Sequence, residues 1–341
     1  MAIPLRMLAS AMCCAVGYSQ PAAVAAIRAE INHFRQTDFV DYNGNPIIGA
    51  QLWQMGQWGP ARFGRMFSLI FQECQTRLPD LEPAETALIL LVAEPERPGI
   101  DGRWAQAAFS ACQEQTGRSF HGESRICAWG KAGIAPAVLL ARKLFTLPAS
   151  ERPRQVMVAG VDTYFSASTI NHYLSANRLL CSDNHDGFIP GEGAGAVVLS
   201  PAEADGPALW IDGAAAGREP ACYLSDQPSR AQMLCRIMRE ASAEAQIAVS
   251  ALDFHASGVS GESWYFREAA LAVDRTLEQR IDHFPHELIA KYIGETGAAC
   301  APLTLAWLGE VMGRGDGPGR GALLHFANDG GERAALVVRY R

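Results

Sequence analysis

Asp186-Gly-Phe-Ile-Pro-Gly-Glu-Gly-Ala-Gly-Ala-Val-Val-Leu199 is the stretch that decides the fold of this chain. A helical stretch separates it from an earlier apolar run, Val156-Met-Val-Ala-Gly-Val-Asp162. Together these segments predict a buried strand that ends in an acidic turn, followed by glycines that allow close backbone packing and a second buried strand.

Strand-like and helix-like segments alternate on both sides of this stretch. Apolar runs of strand length lie at 86–93, 155–160, 195–200, 208–212, 322–327 and 333–340. Helical periods lie at 22–30, 62–75, 104–115, 133–145, 229–244, 262–277 and 297–312. This alternation predicts an α/β protein whose sheets are covered on both faces.

The first residues allow two interpretations. Residues 1–25 have an early Arg6, an apolar stretch and small residues at the end, which faintly resembles a secretory signal. The same residues fit a first strand over 6–17, punctuated by Gly17 and followed by a helix that begins near Pro21. We favour the strand, and we expect a cytoplasmic protein because free cysteines fit a reducing compartment.

Composition narrows the classes of partner and cofactor. The net charge of -7 argues against nucleic acid and against an anionic membrane surface, and no apolar run is long enough to cross a membrane. The nine cysteines are scattered without a CxxC pair, which predicts neither a disulfide framework nor a zinc site. His283 and His286 are separated by Pro285, which breaks any helix that would align them as metal ligands. We therefore expect no metal, and the absence of dinucleotide and phosphate-loop fingerprints predicts no cofactor.

A short polar break at 201–207 divides the chain into two parts that each end in a strand pair. We predict two related halves, 1–200 and 201–341.

Residues 156–162 and 186–199 together resemble the pattern of the β-ketoacyl synthases, in which a GG-x-[DE] turn precedes DGF-x-GEGAG-x-V-L. Residues 254–262 are similar to the family's HGTGTP-x-GD segment, 291–299 to its K-x-x-x-GH segment, and 326–331 to its GFGG loop. The resemblance covers essentially the whole chain. It implies the thiolase fold, with two related βαβαβαββ halves that form a layered α-β-α-β-α sandwich.

The family's chemistry needs a cysteine at a strand-to-helix turn, and this chain has two candidates for that position. In one alignment Cys127 is the nucleophile. In the other Lys131 stands at the nucleophile position, and apolar residues then match the buried face of the following helix. We favour the second alignment, in which the acyl-accepting cysteine is lost and Cys127 is a strand residue.

The other family positions are also altered. The resemblance places His255 at the first catalytic histidine, but Glu295 stands at the second, and Lys291 is one residue closer to it than the family lysine. A polar Asn328 or Asp329 replaces the second Phe of the loop that walls the acyl pocket, before Gly330 and Gly331. A glutamate at the second histidine position adds negative charge near a carbanion, which disfavours decarboxylative condensation.

These departures predict a ketosynthase-like protein that is non-catalytic or has a changed acyl-transfer chemistry. One alternative is an active acyltransferase that uses Cys127, His255 and Glu295. Another is an adaptor for effector delivery, because the short length, Lys131 and residues 293–299 also resemble proteins encoded beside type VI secretion effectors. The resemblance implies a homodimer or heterodimer, with acyl carrier protein or a secretion effector as further partners.

Overall fold

The computed structural model describes residues 3–53, 55–201 and 206–341. The strands in these residues are β1 (Leu5–Cys14), β2 (Arg35–Val40), β3 (Pro46–Gly49), β4 (Thr86–Leu91), β5 (Arg125–Cys127), β6 (Gln155–Thr163), β7 (Glu192–Ser200), β8 (Leu209–Arg218), β9 (Phe254–Ser257), β10 (His286–Glu287), β11 (Gly321–Ala327) and β12 (Glu332–Tyr340). The α-helices are α1 (Gln20–Arg28), α2 (Pro60–Arg77), α3 (Trp104–Glu114), α4 (Ile134–Leu144), α5 (Ala167–Ser175), α6 (Gln232–Ala245), α7 (Ser263–Thr276), α8 (Ala290–Ile293) and α9 (Cys300–Val311).

The two halves repeat one strand order. Strands of the first half lie in the order β1-β7-β6-β4-β5, and those of the second in the order β8-β12-β11-β9-β10. In the first half β7 pairs antiparallel with β1 and β6, and β4 pairs parallel with β6 and β5. In the second half β12 pairs antiparallel with β8 and β11, and β9 pairs parallel with β11 and β10. The halves meet where β1 pairs with β8, at Leu5–Ile211 and Arg6–Trp210. This repeated order confirms the prediction of two related halves. The boundary near residue 201 stays a prediction, and residues 202–205 of the polar break lie outside the described residues.

The helices form three layers around these sheets. Helices α2 and α3 cover the outer face of the first half, and α6 and α7 cover the outer face of the second. Helices α1, α4 and α9 contribute to one core that also contains Leu91 and Val197 of the first half and Leu324 and Leu336 of the second. The inner helices therefore lie between the sheets, as the predicted layered sandwich requires.

The glycine-rich segment 186–199 positions a short stretch of the second half. The backbone N–H of Glu295 donates to Ile189 O at 2.8 Å, and the N–H of Gly191 donates to Glu295 O at 2.9 Å. A Cβ at Gly191 would lie 2.6 Å from Ile293 O, and one at Gly195 would lie 2.6 Å from Leu303 N. Only glycine permits this approach, so the glycines of the segment hold the residue 295 backbone against β7.

The first strand and its following helix form as predicted, over Leu5–Cys14 and Gln20–Arg28. The hairpin of β2 and β3 was not predicted, because its polar residues show little apolar alternation. No helix among the described residues has the length and apolar character needed to span a membrane.

Candidate functional site

Lys131 lies on a short 3₁₀ turn (Gly130–Gly133) that leads into α4. Its side chain is 12% exposed, and Nζ lies 2.7 Å from Glu295 Oε2. The same ammonium donates to Gly258 O at 3.2 Å. Burial disfavours the charged amine, but the surrounding groups, with the Glu295 carboxylate first among them, together outweigh burial and raise the pKa of Lys131 above its ordinary value.

Glu295 is 4% exposed and lies in the loop between α8 and α9. Besides Lys131, its Oε2 accepts a hydrogen bond from Ser260 Oγ at 2.6 Å. Its Oε1 accepts from the backbone N–H of Gly297 at 2.8 Å. The carboxylate is therefore held by three donors, two of them neutral, and this is the arrangement that makes a buried charge tolerable.

A second ion-pair cluster lies beside the first. Arg178 pairs with Glu262 at 2.7 Å and with Asp329 at 2.5 Å. Tyr265 donates its hydroxyl to Asp329 Oδ1, and the Arg178 guanidinium lies 4.0 Å from the centre of the Tyr223 ring. Burial alone would raise the pKa of Asp329, but the hydrogen bonds and charge of Arg178 outweigh it and lower that pKa.

These two clusters line one small cavity of about 20 Å³. Its walls carry mostly polar and charged side chains, from Glu94, Lys131, Tyr164, Tyr173, Arg178, Phe188, Glu262, Tyr265, Glu295, Gly297, Asn328 and Asp329. A space of this size holds about one water molecule. The structure thus brings together Lys131, Glu295, Asn328 and Asp329, four of the residues that the sequence singled out.

Glu94 was missed by the sequence reasoning, and it lies in the cavity wall under Gly130. Desolvation raises the pKa of its carboxyl to about 7, with the charge of Arg97 partly opposing this shift. A Cβ at Gly130 would lie 2.2 Å from Glu94 Oε2. Glu94 is therefore a group of the cavity that titrates near neutral pH.

The predicted loop residues approach the cavity from the second half. Asn328 donates its side-chain N–H to Trp129 O at 2.6 Å, which ties the loop to the turn that carries Lys131. Gly330 and Gly331 continue the loop and do not line the cavity. The N–H of Gly331 donates to Asn328 O at 3.3 Å, so the two glycines close the turn that follows Asn328 and Asp329.

Cys127 ends β5 and lies outside the cavity. Its thiol lies 3.6 Å from Gly133 O and packs against the core between the sheets. Burial raises the pKa of Cys127 to about 11, so the thiolate is scarce at neutral pH.

His255 does not line the cavity, and its expected role beside Glu295 stays a prediction. Its strand neighbours Phe254 and Ala256 face the core between the sheets. Because alternate residues of a strand face opposite sides, His255 faces the outer side. There its Nδ1 lies 3.2 Å from His325 Nε2. In place of His255, the residue of this segment that contacts Lys131 is Gly258.

Lys291 is likewise apart from the cavity, since its exposed side chain lies on α8. There it borders a groove with Arg28 and Tyr292. Arg178 and Glu262 were not predicted as site residues. Glu262 ends the 254–262 segment that resembles a family motif, but its pairing with Arg178 spans 84 residues and no local pattern encodes it.

Burial keeps the histidine group around His255 neutral. It lowers the pKa of His255 to about 3 and that of His286 to about 4, and it lowers the pKa of His325 well below the ordinary value.

No protein-family model and no curated protein matches this sequence. Several solved structures do match the chain. A type II polyketide synthase complex, of an acyl carrier protein with its ketosynthase bound to a hexaketide, matches with a TM-score of 0.78, 12% identity and 99% of both chains covered. A ketosynthase domain of the oxazolomycin synthase from Streptomyces albus matches with a TM-score of 0.77 and 14% identity, over 98% of this chain and 74% of that one. A β-ketoacyl synthase from Burkholderia phymatum matches with a TM-score of 0.72 and 14% identity, over 100% of both chains.

These matches confirm the predicted fold. The chain has the thiolase fold of the β-ketoacyl synthases. At this identity the likeness establishes architecture, and activity must be argued from the site itself.

Proposed function

We propose that this chain is a ketosynthase-like protein without condensing activity that works as a binding scaffold. The observation that carries the proposal is the buried ion pair of Lys131 and Glu295, 2.7 Å apart in the cavity. In the preferred alignment these residues occupy the positions of the nucleophilic cysteine and the second catalytic histidine. The pair therefore joins two positions that the family uses for chemistry.

The protonated amine of Lys131 supports a loss of nucleophilic function. An amine attacks a thioester through its free lone pair, and catalytic lysines have a lowered pKa for that reason. Here the pKa of Lys131 is raised, and its ammonium already donates to Glu295 and Gly258. Glu295 in turn is occupied by three donors, which leaves it poorly placed to stabilise an enolate.

The size of the cavity supports the same conclusion. Binding sites for small molecules usually enclose about 300 Å³ or more, whereas this cavity measures about 20 Å³. Arg178, Asp329 and Tyr265 fill the space beside the ion pair and hold one another by hydrogen bonds. An acyl chain would have to break this buried network to enter.

The active-acyltransferase alternative relies on Cys127, whose thiol has a pKa of about 11 and contacts Gly133 rather than the cavity. A third possibility is a half-active subunit of a heterodimer, in which the partner subunit supplies the chemistry and this chain needs no catalytic residue. A homodimer, a heterodimer and a cytoplasmic location all stay predictions.

Acyl carrier protein is the partner class that we propose first, because the solved complex with a TM-score of 0.78 contains a ketosynthase and its acyl carrier protein. A secretion effector, in the adaptor alternative, is a second class and rests on the sequence resemblance alone. The net charge of -7 disfavours nucleic acid in either case.

A turnover assay tests the proposal. The full chain is incubated with acyl and malonyl thioesters of coenzyme A and of acyl carrier protein, and release of thiol and carbon dioxide is measured. We expect release at the rate of the protein-free control. Turnover that disappears in Cys127→Ala, but persists in the half-buried control Cys181→Ala, would overturn the proposal and establish the acyltransferase alternative.

A further inference from the structure

Three histidines from neighbouring strands meet on the outer face of the second sheet. His286 of β10 pairs with His255 of β9, and His325 of β11 pairs with Ser257 of β9. Paired residues, and residues two apart on one strand, share a face, so all three imidazoles lie on the same side. One ring nitrogen of each histidine lies within 4.8 Å of the other two.

The spacing of one pair already suits a metal. His255 Nδ1 and His325 Nε2 are 3.2 Å apart. Two nitrogens that bind one tetrahedral Zn²⁺ at 2.0–2.1 Å lie about 3.3 Å from each other. The third ring is oriented by a hydroxyl, since His286 Nε2 lies 2.7 Å from Ser257 Oγ. A hydrogen bond to one ring nitrogen is the usual way to fix the tautomer of a histidine that binds metal through the other.

We propose that His255, His286 and His325 bind a divalent transition-metal ion, with Zn²⁺ as the preferred ion. Neutral imidazole is a ligand that suits zinc, copper, iron and nickel, and three imidazoles leave a fourth position for water. The site lies on the opposite face of the sheet from Lys131 and does not depend on the function proposed above.

Binding requires one ring to turn. The rings of His255 and His286 are stacked, with centres 4.0 Å apart and 18° between their planes, so their lone pairs run side by side. His286 is half-buried and belongs to a two-residue strand at the sheet edge, so it is the ring that we expect to turn. Its contact with Ser257 Oγ orients the ring in the metal-free chain and has to shift when the ring turns. The bound ion would then tie β10 to β9 and β11, and it would stabilise the folded chain.

Titration of the metal-free full chain with Co²⁺ and with Zn²⁺ tests this site. We expect one equivalent to bind, visible Co²⁺ bands without thiolate charge transfer, and a rise in Tm with Zn²⁺. His325→Gln and His286→Gln should each weaken binding by more than the roughly 10–100-fold that the loss of an outer-shell partner costs. The matched control His283→Gln changes an exposed histidine of the same segment and should bind as the unchanged chain does.

A folded chain that binds neither ion would overturn the proposal, as would a thiolate signature or binding that survives His286→Gln. Should His325→Gln fail to fold, the half-buried edge position makes His286→Gln the deciding variant.

Discussion

The Lys131 ammonium lies 2.7 Å from the Glu295 carboxylate although the two residues are 164 positions apart in the chain. Lys131 comes from the turn before the inner helix of the first half, and Glu295 from the equivalent approach to the inner helix of the second. The pair thus links the two halves at their common cavity. Its partners, Gly258 and Ser260, both belong to the loop after β9.

Breaking this pair from one side should destabilise the chain. Glu295→Gln leaves the buried Lys131 charge without a carboxylate, and we expect a loss of about 3–5 kcal/mol in the free energy of unfolding. The double variant Lys131→Met/Glu295→Gln should lose less than the two single variants combined, because it buries no unpaired charge. Urea denaturation measures all three.

The surface pair Arg236–Glu240, whose side chains are 70% and 46% exposed, is the matched control for that cycle. Its coupling should be below about 1 kcal/mol. A Lys131–Glu295 coupling as small as that of the surface pair would show that the buried ion pair does not hold the cavity together.

Glu94 should make the stability fall as pH rises through neutrality. Its folded-state pKa of about 7 lies above the ordinary value of 4.5, so its contribution is fully present below pH 4.5 and is lost as pH rises through 7. Between pH 5 and 8, Glu94→Gln should remove up to about 3 kcal/mol of this fall in the free energy of unfolding. Chemical denaturation across that range is the measurement, with the exposed neighbour Glu96→Gln as a control that should keep the original slope.

Substitution of Gly130 should lower the stability of the folded chain. Its φ of +49° favours glycine, and an added Cβ would meet the Glu94 carboxylate at 2.2 Å. We expect Gly130→Ala to cost about 1–2 kcal/mol in the free energy of unfolding. Gly122→Ala, at a position with open space around the added Cβ, should change stability little. Equal effects of the two substitutions would contradict the described turn.

Cys127 should react slowly with thiol reagents in the folded chain. With a pKa of about 11, its alkylation by iodoacetamide at pH 7.5 should be more than about tenfold slower than that of a free cysteine. Peptide mapping follows the rate, and denaturant should abolish the difference. Rapid labelling of Cys127 in the folded chain would mean that this thiol is activated after all.

The fold could be predicted from the sequence because the deciding features are local. Continuous apolar runs produced the buried strands, and the glycines of 186–199 produced the close packing around β7. Lys131, Glu295, Asn328 and Asp329 follow motifs at the ends of elements, where the fold brings them to one cavity.

The face of the sheet on which the His255 side chain lies could not be predicted in the same way. All four residues of β9 are buried, so the strand shows no polar alternation that would tell its two faces apart. The pairing of Arg178 with Asp329 joins residues 151 positions apart, and no local pattern encodes it. Lys291 was assigned by motif spacing, whereas the short helix α8 exposes its side chain.

Intact-mass spectrometry after incubation with acyl-coenzyme A and acyl-carrier-protein thioesters tests the central claim most directly. If the Lys131–Glu295 pair closes the cavity, the folded chain gains no acyl mass. The variant Lys131→Cys/Glu295→His is the comparison, because it places a thiol at the position where the family forms its acyl adduct. An acyl adduct that peptide mapping places on Cys127 or Lys131 of the unchanged chain would contradict the claim.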